Sequence, residues 1–321
     1  MTRHNHTLVP EAAAGSTPAF RHKVRFPVGN TYCVAWHYPG TNGACVIMAS
    51  GAGVTKEPGT DRFARRFHDA GFSIVAFDHR RFGESGGRQR QIVRTREQLA
   101  DWRAAIGFAA TLPDVKPERI AIWSFSMGGG HVIRTAAHDQ RVAAAIAQMA
   151  LADGQAAAPK ALRSMTFGAL LRVTGKGMLD GLGALLGRRP LLIPATGERG
   201  TVAMLTTPDA LDGTDALDPH GEHVDTWDQT IAARVVLRAG FYRPIRHASR
   251  VQCPLLVVAC DQDQTVLPEP GIRASELAPR GELLVVPGTH YAPFLHAHEQ
   301  AVTTELSFLS RHLLPAAQAT A

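Results

Sequence analysis

An α/β protein built on a mostly parallel sheet, with helices on both faces, is what this chain predicts. Three observations carry that reading. Val-, Ile- and Ala-rich runs at residues 44–50, 72–77, 119–125, 142–149, 254–260 and 282–287 are apolar throughout rather than alternating, as strands buried on both faces are. Segments with apolar residues at helical spacing lie between most of them, which is the β-α-β order of a parallel sheet. The alternation then stops over residues 155–245 and resumes afterwards, so a helical insertion is expected between two strands of one sheet.

The elements follow in order. Residues 22–28 and 32–38 form a hairpin across Gly29-Asn30. The run at 44–50 ends in Gly51-Ala52-Gly53. A helix is expected over 61–70, stopped by Gly71. The strand at 72–77 closes at Asp78, and residues 94–112 carry Leu99, Trp102, Ile106 and Phe108 at helical spacing ahead of Pro113. Strand 119–125, helix 127–138 and strand 142–149 complete the first part. Strands 254–260 and 282–287 and an amphipathic helix at 300–314 complete the second. Residues 22–154 and 246–315 are therefore read as one core, 155–245 as its insertion and 1–21 as an N-terminal extension.

Composition narrows the function. Of 321 residues, 45% are hydrophobic and 19% charged, ordinary for a chain with a substantial core. Net charge is +6, but the Lys and Arg are scattered and often sit beside acids, as in Lys56-Glu57 and Arg96-Glu97. No basic run is interleaved with aromatic residues, so no nucleic-acid partner is expected. Four cysteines without a C-x-x-C pair suggest neither a disulfide framework nor a zinc site, and no metal is expected. Residues 1–16 are polar, which argues against an export signal. The most apolar stretch, 165–194, is interrupted by Arg172, Lys176, Asp180, Arg188 and Arg189, so it is not expected to span a membrane. The expectations are a cytoplasmic location and no membrane partner.

Chemistry enters at Ser124-Phe125-Ser126-Met127-Gly128, where a strand runs into a glycine-rich helix start. A turn this tight lifts one side chain clear of the sheet edge, and the helix aims its N–H groups at any anion formed beside it. Ser124 still belongs to the strand, so Ser126 is preferred as the exposed hydroxyl. Serine is a poor nucleophile until a base takes its proton. Asp261 and Asp263 follow the strand at 254–260, and His290 follows the strand at 282–287. Parallel strands bring their carboxyl ends to one edge, so these residues can meet Ser126 there.

Taken together, the S-x-S-x-G turn, the D-x-x-V-L-P segment from Asp263 to Pro268, the Gly288-Thr289-His290-Tyr291 segment and the Ser…Asp…His order resemble the α/β-hydrolase superfamily. Asp78 to Ser85 is similar to the D-x-R-x-x-G-x-S loop common in that superfamily. The resemblance covers about residues 22–153 and 250–314 and lies nearest bacterial esterase, dienelactone-hydrolase-like and peptidase-like members. It departs in one place, since Ser124 stands where glycine is usual. The resemblance implies Ser126 as nucleophile, His290 as base and Asp263, rather than its rival Asp261, as the orienting acid. It also implies backbone N–H donors for an oxyanion at Met127 and at Ala52, with Gly53 as the alternative to Ala52, and no cofactor. The implied activity is cleavage of a carboxylic ester through an acyl-enzyme. The substrate would be a small molecule with a hydrophobic group. Amide, thioester or C–C cleavage and acyl transfer are alternatives for the same three side chains, and a homodimer is possible.

Other features take plainer readings. Asp78 and Arg80 are expected to form a structural pair or a helix cap, and His131 to be a packed or partly exposed histidine. Asp261, as the rival acid, has an alternative role as a loop cap on Gln262 or Gln264. His220 and His223 with Asp218, Glu222 and Asp225 read as an acidic loop. Tyr291 is expected under the three side chains or in the pocket wall. Phe167, Leu170, Leu171, Leu179 and Leu182 either face substrate or hold the insertion to the core.

Overall fold

The computed structural model describes residues 20–223 and 225–315. All but the last two residues of the expected N-terminal extension lie outside that range. The sheet has eight strands: β1 (His22–Val28), β2 (Thr31–Tyr38), β3 (Cys45–Ala49), β4 (Ser73–Phe77), β5 (Ile120–Phe125), β6 (Ala144–Gln148), β9 (Leu255–Cys260) and β10 (Gly281–Val286). Their spatial order is β1-β2-β4-β3-β5-β6-β9-β10. The hairpin pair β1–β2 and the β2–β4 pair are antiparallel, and every other neighbour is parallel.

Helices cover both faces. On one side lie α2 (Thr95–Ala109), α3 (Met127–Ala136) and α8 (Pro268–Leu277); on the other lie α1 (Lys56–Asp69) and α9 (His298–Leu313). Side-chain alternation explains why the strands are apolar throughout. Ile47 and Ile122 point into the first layer with Trp102 and Ile133, whereas Met48 and Trp123 point into the second with Phe63 and Phe308. All four cysteines are buried and unpaired.

Helix α1 begins five residues before its expected start. Pro58 sits in its first turn, where no intrahelical N–H is required. The Lys56 N–H is instead accepted by Asp78 Oδ1 at 2.8 Å. That contact makes Asp78 a cap on the α1 N-terminus, one of the two roles expected, rather than the partner of Arg80. Asp78 binds the buried Lys56 ammonium at 3.0 Å, while Arg80 donates to Asp101 at 2.5 Å. Burial penalises the Lys56 cation, yet Asp78, Glu57 and Glu84 around it hold its pKa above the ordinary lysine value.

Between β6 and β9 the chain leaves the sheet. It forms α4 (Gly154–Arg163), α5 (Phe167–Leu185), β7 (Leu192–Pro194), α6 (Gly213–Leu217), β8 (Thr230–Ala232) and α7 (Val236–Ala239). The insertion is thus helical with one addition, the antiparallel β7–β8 pair. A buried ion pair fastens its parts together: Arg234 Nε and Nη2 each donate at 2.7 Å to Asp180 of α5.

Candidate active site

Ser126 occupies the junction of β5 and α3 with φ 55° and ψ −128°, a conformation a non-glycine residue seldom adopts. Sequence makes room for it. A Cβ added to Gly128 would lie 1.9 Å from Ser124 Oγ and 2.7 Å from the Ser50 carbonyl oxygen, so only glycine lets α3 start this close to the sheet. Ser124 is buried, and its hydroxyl donates to the Ala49 carbonyl at 2.6 Å. It therefore serves as a strand-to-strand tie. Ser126, by contrast, lines the cavity above the sheet edge.

The loop after β3 closes one side. A Cβ on Gly51 would come within 3.2 Å of Ser126 Cβ, which places the Gly51-Ala52 backbone against the serine. Met127 is the first residue of α3, so its N–H has no acceptor within the helix. No protein acceptor takes the Ala52 N–H among the described residues. Trp227 of the insertion holds this loop from above, its indole N–H donating to the Gly53 carbonyl at 2.9 Å.

On the other side, His290 Nδ1 donates to Asp263 Oδ2 at 2.7 Å, with both side chains buried. Asp263 Oδ1 accepts the N–H groups of Thr265 and Val266 at 2.9 and 2.8 Å, which fixes the carboxylate. Asp261 lies apart from this pair. Its Oδ1 accepts the Gly288 N–H at 2.8 Å and so ties the two loops together, rather than capping Gln262 or Gln264 as expected. Burial pushes the His290 pKa down, but the charge and hydrogen bond of Asp263, with Asp209 behind, outweigh it and leave it above the ordinary histidine value. Nε2 of the same ring is buried and has no hydrogen-bond partner among the described residues. Ser126 Oγ and His290 Nε2 form no hydrogen bond. Such contacts often close only around substrate.

Asp209 is the residue that sequence reasoning missed. It belongs to the insertion and is buried. Its Oδ2 accepts N–H groups from Gln264 at 2.7 Å, Thr265 at 3.2 Å and His290 at 3.4 Å, and its Oδ1 accepts the Thr265 hydroxyl at 2.9 Å. Thr207 Oγ1 adds a bond to Thr265 Oγ1 at 2.8 Å. A second carboxylate from outside the sheet thus grips the loop that carries Asp263.

The remaining candidates fall as follows. Tyr291 lines the cavity with its ring 4.9 Å from that of His290, edge to face. His131 is buried between Tyr242 and Gln98, away from the serine. Asp218 accepts the N–H groups of Glu222 and His223 as a loop clasp. Leu170 lines the cavity, but Phe167, Leu171, Leu179 and Leu182 do neither of the things expected of them and stand in solvent. The cavity itself holds about 580 Å³ and is walled chiefly by small and apolar side chains, including Ala157, Ala161, Met165 and Val173. Arg243 and Arg246 are the cations in its wall, and Arg243 is paired with Asp153 at 2.7 Å.

The sequence matches the family described as serine aminopeptidase, S33, over residues 41–207, more than half of the chain. This chain belongs to the α/β-hydrolase superfamily. The matched stretch of this α/β-hydrolase takes in the β3 loop and the serine turn, and ends ahead of Asp209, Asp263 and His290. The hydrolase is 35% identical to the quorum-quenching protein AidA of Acinetobacter baumannii, over 90% of this chain and 94% of that protein. It is 37% identical to the thiohydrolase aneE of Aspergillus aculeatus over 32% of each chain. Among solved structures, the α/β hydrolase GrgF of Penicillium superposes with a TM-score of 0.76 at 23% identity, over 91% of this chain and 99% of that one.

Proposed function

We propose that this α/β-hydrolase is a serine hydrolase that cleaves a carboxylic ester, open or cyclic, through an acyl-enzyme. One observation carries the reading: a serine held at φ 55° on a helix start faces a cavity, while a buried His–Asp pair stands on the neighbouring strand ends. In this mechanism Ser126 Oγ attacks the ester carbonyl carbon as its proton passes to His290 Nε2. Asp263 stabilises the imidazolium and fixes the tautomer. The carbonyl π pair moves onto oxygen, and the Met127 and Ala52 N–H groups receive that oxyanion. Collapse of the intermediate breaks the C–O bond, and His290 protonates the departing alcohol. Water then attacks the acyl-serine with its proton going to His290; collapse breaks the bond from the acyl carbon to Ser126 Oγ, His290 returns the proton to Oγ, and the acid is released.

Apolar walls suit an acyl chain, so the substrate is assigned a hydrophobic acyl group. The relative AidA bears the name of a quorum-quenching protein, and a hydrolase of this type would quench a signal by opening an acyl bond in it. A second reading, thioester cleavage with the same three side chains, is favoured by the likeness to a protein named as a thiohydrolase.

Purified protein is expected to release p-nitrophenol from medium-chain acyl esters. Ser126→Ala should remove the activity with the fold retained, and Asp263→Asn should lower kcat by about 10⁴-fold. A panel of matched esters, lactones and thioesters separates the two readings by kcat/KM. Full activity in Ser126→Ala would refute both.

A further inference from the structure

Helix α5 presents three different surfaces. Ala169, Val173, Gly177 and Asp180 are buried against the insertion, and Leu170 and Thr174 line the cavity. The remaining arc carries Phe167, Leu171, Met178, Leu179, Leu182 and Leu185, each between 55% and 83% exposed. Soluble chains seldom leave so much contiguous large apolar surface on one helix unpartnered. At the cavity mouth, Leu162 of α4 and Phe241 after α7 both line the cavity and stand half-exposed or more. The apolar surface is therefore continuous with the opening to Ser126.

Charge tells what covers this face. From the start of α4 to the start of β7, residues 154–192 contain six cations: Lys160, Arg163, Arg172, Lys176, Arg188 and Arg189. They contain one acid, Asp180, and it is buried in its pair with Arg234. Five of the six net positive charges of the whole chain thus reside in this one segment. None of these six cations forms an ion pair among the described residues. A second copy laid symmetrically on α5 would bring the cations of one helix toward those of the other, with no unpaired acid on either helix to receive them. A long amphipathic helix with an apolar arc and cationic flanks matches a surface that is apolar within and anionic at its edge.

We propose that α5 and the mouth of the cavity dock on an anionic lipid bilayer, with the apolar arc entering the headgroup boundary and the flanking cations meeting lipid phosphates. This is peripheral contact. No helix among the described residues is long and apolar enough to cross a membrane. The proposal replaces the expectation of no membrane partner, which rested on the same cations interrupting the apolar run. It stands apart from the reaction assigned to Ser126.

Co-sedimentation of the full chain with vesicles tests it. Vesicles of phosphatidylglycerol and phosphatidylcholine in equal parts should bind the protein at least tenfold more tightly than phosphatidylcholine alone, and added salt should weaken that binding. Leu182→Gln with Leu185→Gln should weaken binding at least tenfold. Arg172→Glu with Lys176→Glu should erase the preference for the anionic lipid. Both pairs lie outside the cavity wall, so thermal unfolding and hydrolysis of a soluble short-chain p-nitrophenyl ester should not change. Absence of vesicle binding, or binding indifferent to lipid charge, would overturn the proposal. A wild-type dimer that the leucine variant converts to monomers, without vesicle binding, would overturn it too and assign the face to a second copy.

Discussion

Asp209 holds Thr265 twice, by its main-chain N–H at 3.2 Å and by its hydroxyl at 2.9 Å. Because Thr265 and Val266 in turn donate to Asp263, the carboxylate that orients His290 is braced by a second carboxylate from the insertion. Asp209→Ala should lower kcat by about 10²-fold through misplacement of the loop, with a smaller change in KM. Asp209→Asn keeps an acceptor oxygen but removes a charge that favours the His290 cation, so it should move the acid limb of the rate profile to lower pH. Ester hydrolysis measured across pH checks both. An unchanged kcat and an unmoved limb would reduce Asp209 to a structural tie.

For the wild type, the sign of the pH dependence follows from the His290 environment. The base must be neutral, and Asp263 and Asp209 together hold its pKa above the ordinary value despite burial. Activity should therefore be full above that raised pKa and fall as pH drops through it. The midpoint is expected above about 6.5. A midpoint well below that, from kcat/KM profiles, would contradict the arrangement.

The two neighbouring serines should behave oppositely. A fluorophosphonate is expected to label Ser126 and leave Ser124 unmodified, which peptide mapping can check. Ser124→Ala removes the donor to the buried Ala49 carbonyl and should cost about 1–3 kcal/mol of stability. Its activity should stay within a few-fold of wild type.

Glu305 offers a test away from the site. It is fully buried on α9, with Oε2 accepting from Trp123 Nε1 at 3.1 Å and Oε1 unpartnered among the described residues. Burial raises its pKa well above the usual value, so the native state keeps a proton that the unfolded chain has lost. Stability should then decline as pH rises from the unfolded glutamate pKa toward the folded one. Glu305→Gln removes that dependence and should stabilise the protein near neutral pH. Urea unfolding at several pH values reads this directly, and a loss of stability at neutral pH would show that the ionised form is tolerated.

Much of this was legible in the residues because the decisive features are local. Strands buried on both faces write themselves as unbroken apolar runs. The turn at Ser126 needs small neighbours and a following helix, and both are visible within five residues. That an acid after β9 could meet His290 required only that parallel strands end at one edge, and the resemblance to α/β-hydrolases chose Asp263 over Asp261. What escaped notice depends on distant partners. Asp209 sits in a Thr-Pro-Asp stretch that reads as a solvated turn, and nothing in its spacing reveals that it reaches Gln264 and Thr265. Asp78 reads locally, as a pair with Arg80 or a helix cap, and nothing in the spacing reveals that folding buries the Lys56 ammonium on it. The leucines of α5 read as facing substrate or holding the insertion to the core, since apolarity without a known neighbour does not distinguish an interior from an exterior surface.

Trp227 grips the Gly53 carbonyl on one flank of the serine, and Asp209 grips the Thr265 loop on the other. Specificity in such a molecule cannot be rewritten by grafting: an excised or transplanted roof would take with it the struts that keep the floor aligned. Recruitment of new substrates should then proceed by point changes along the walls, leaving those two struts untouched.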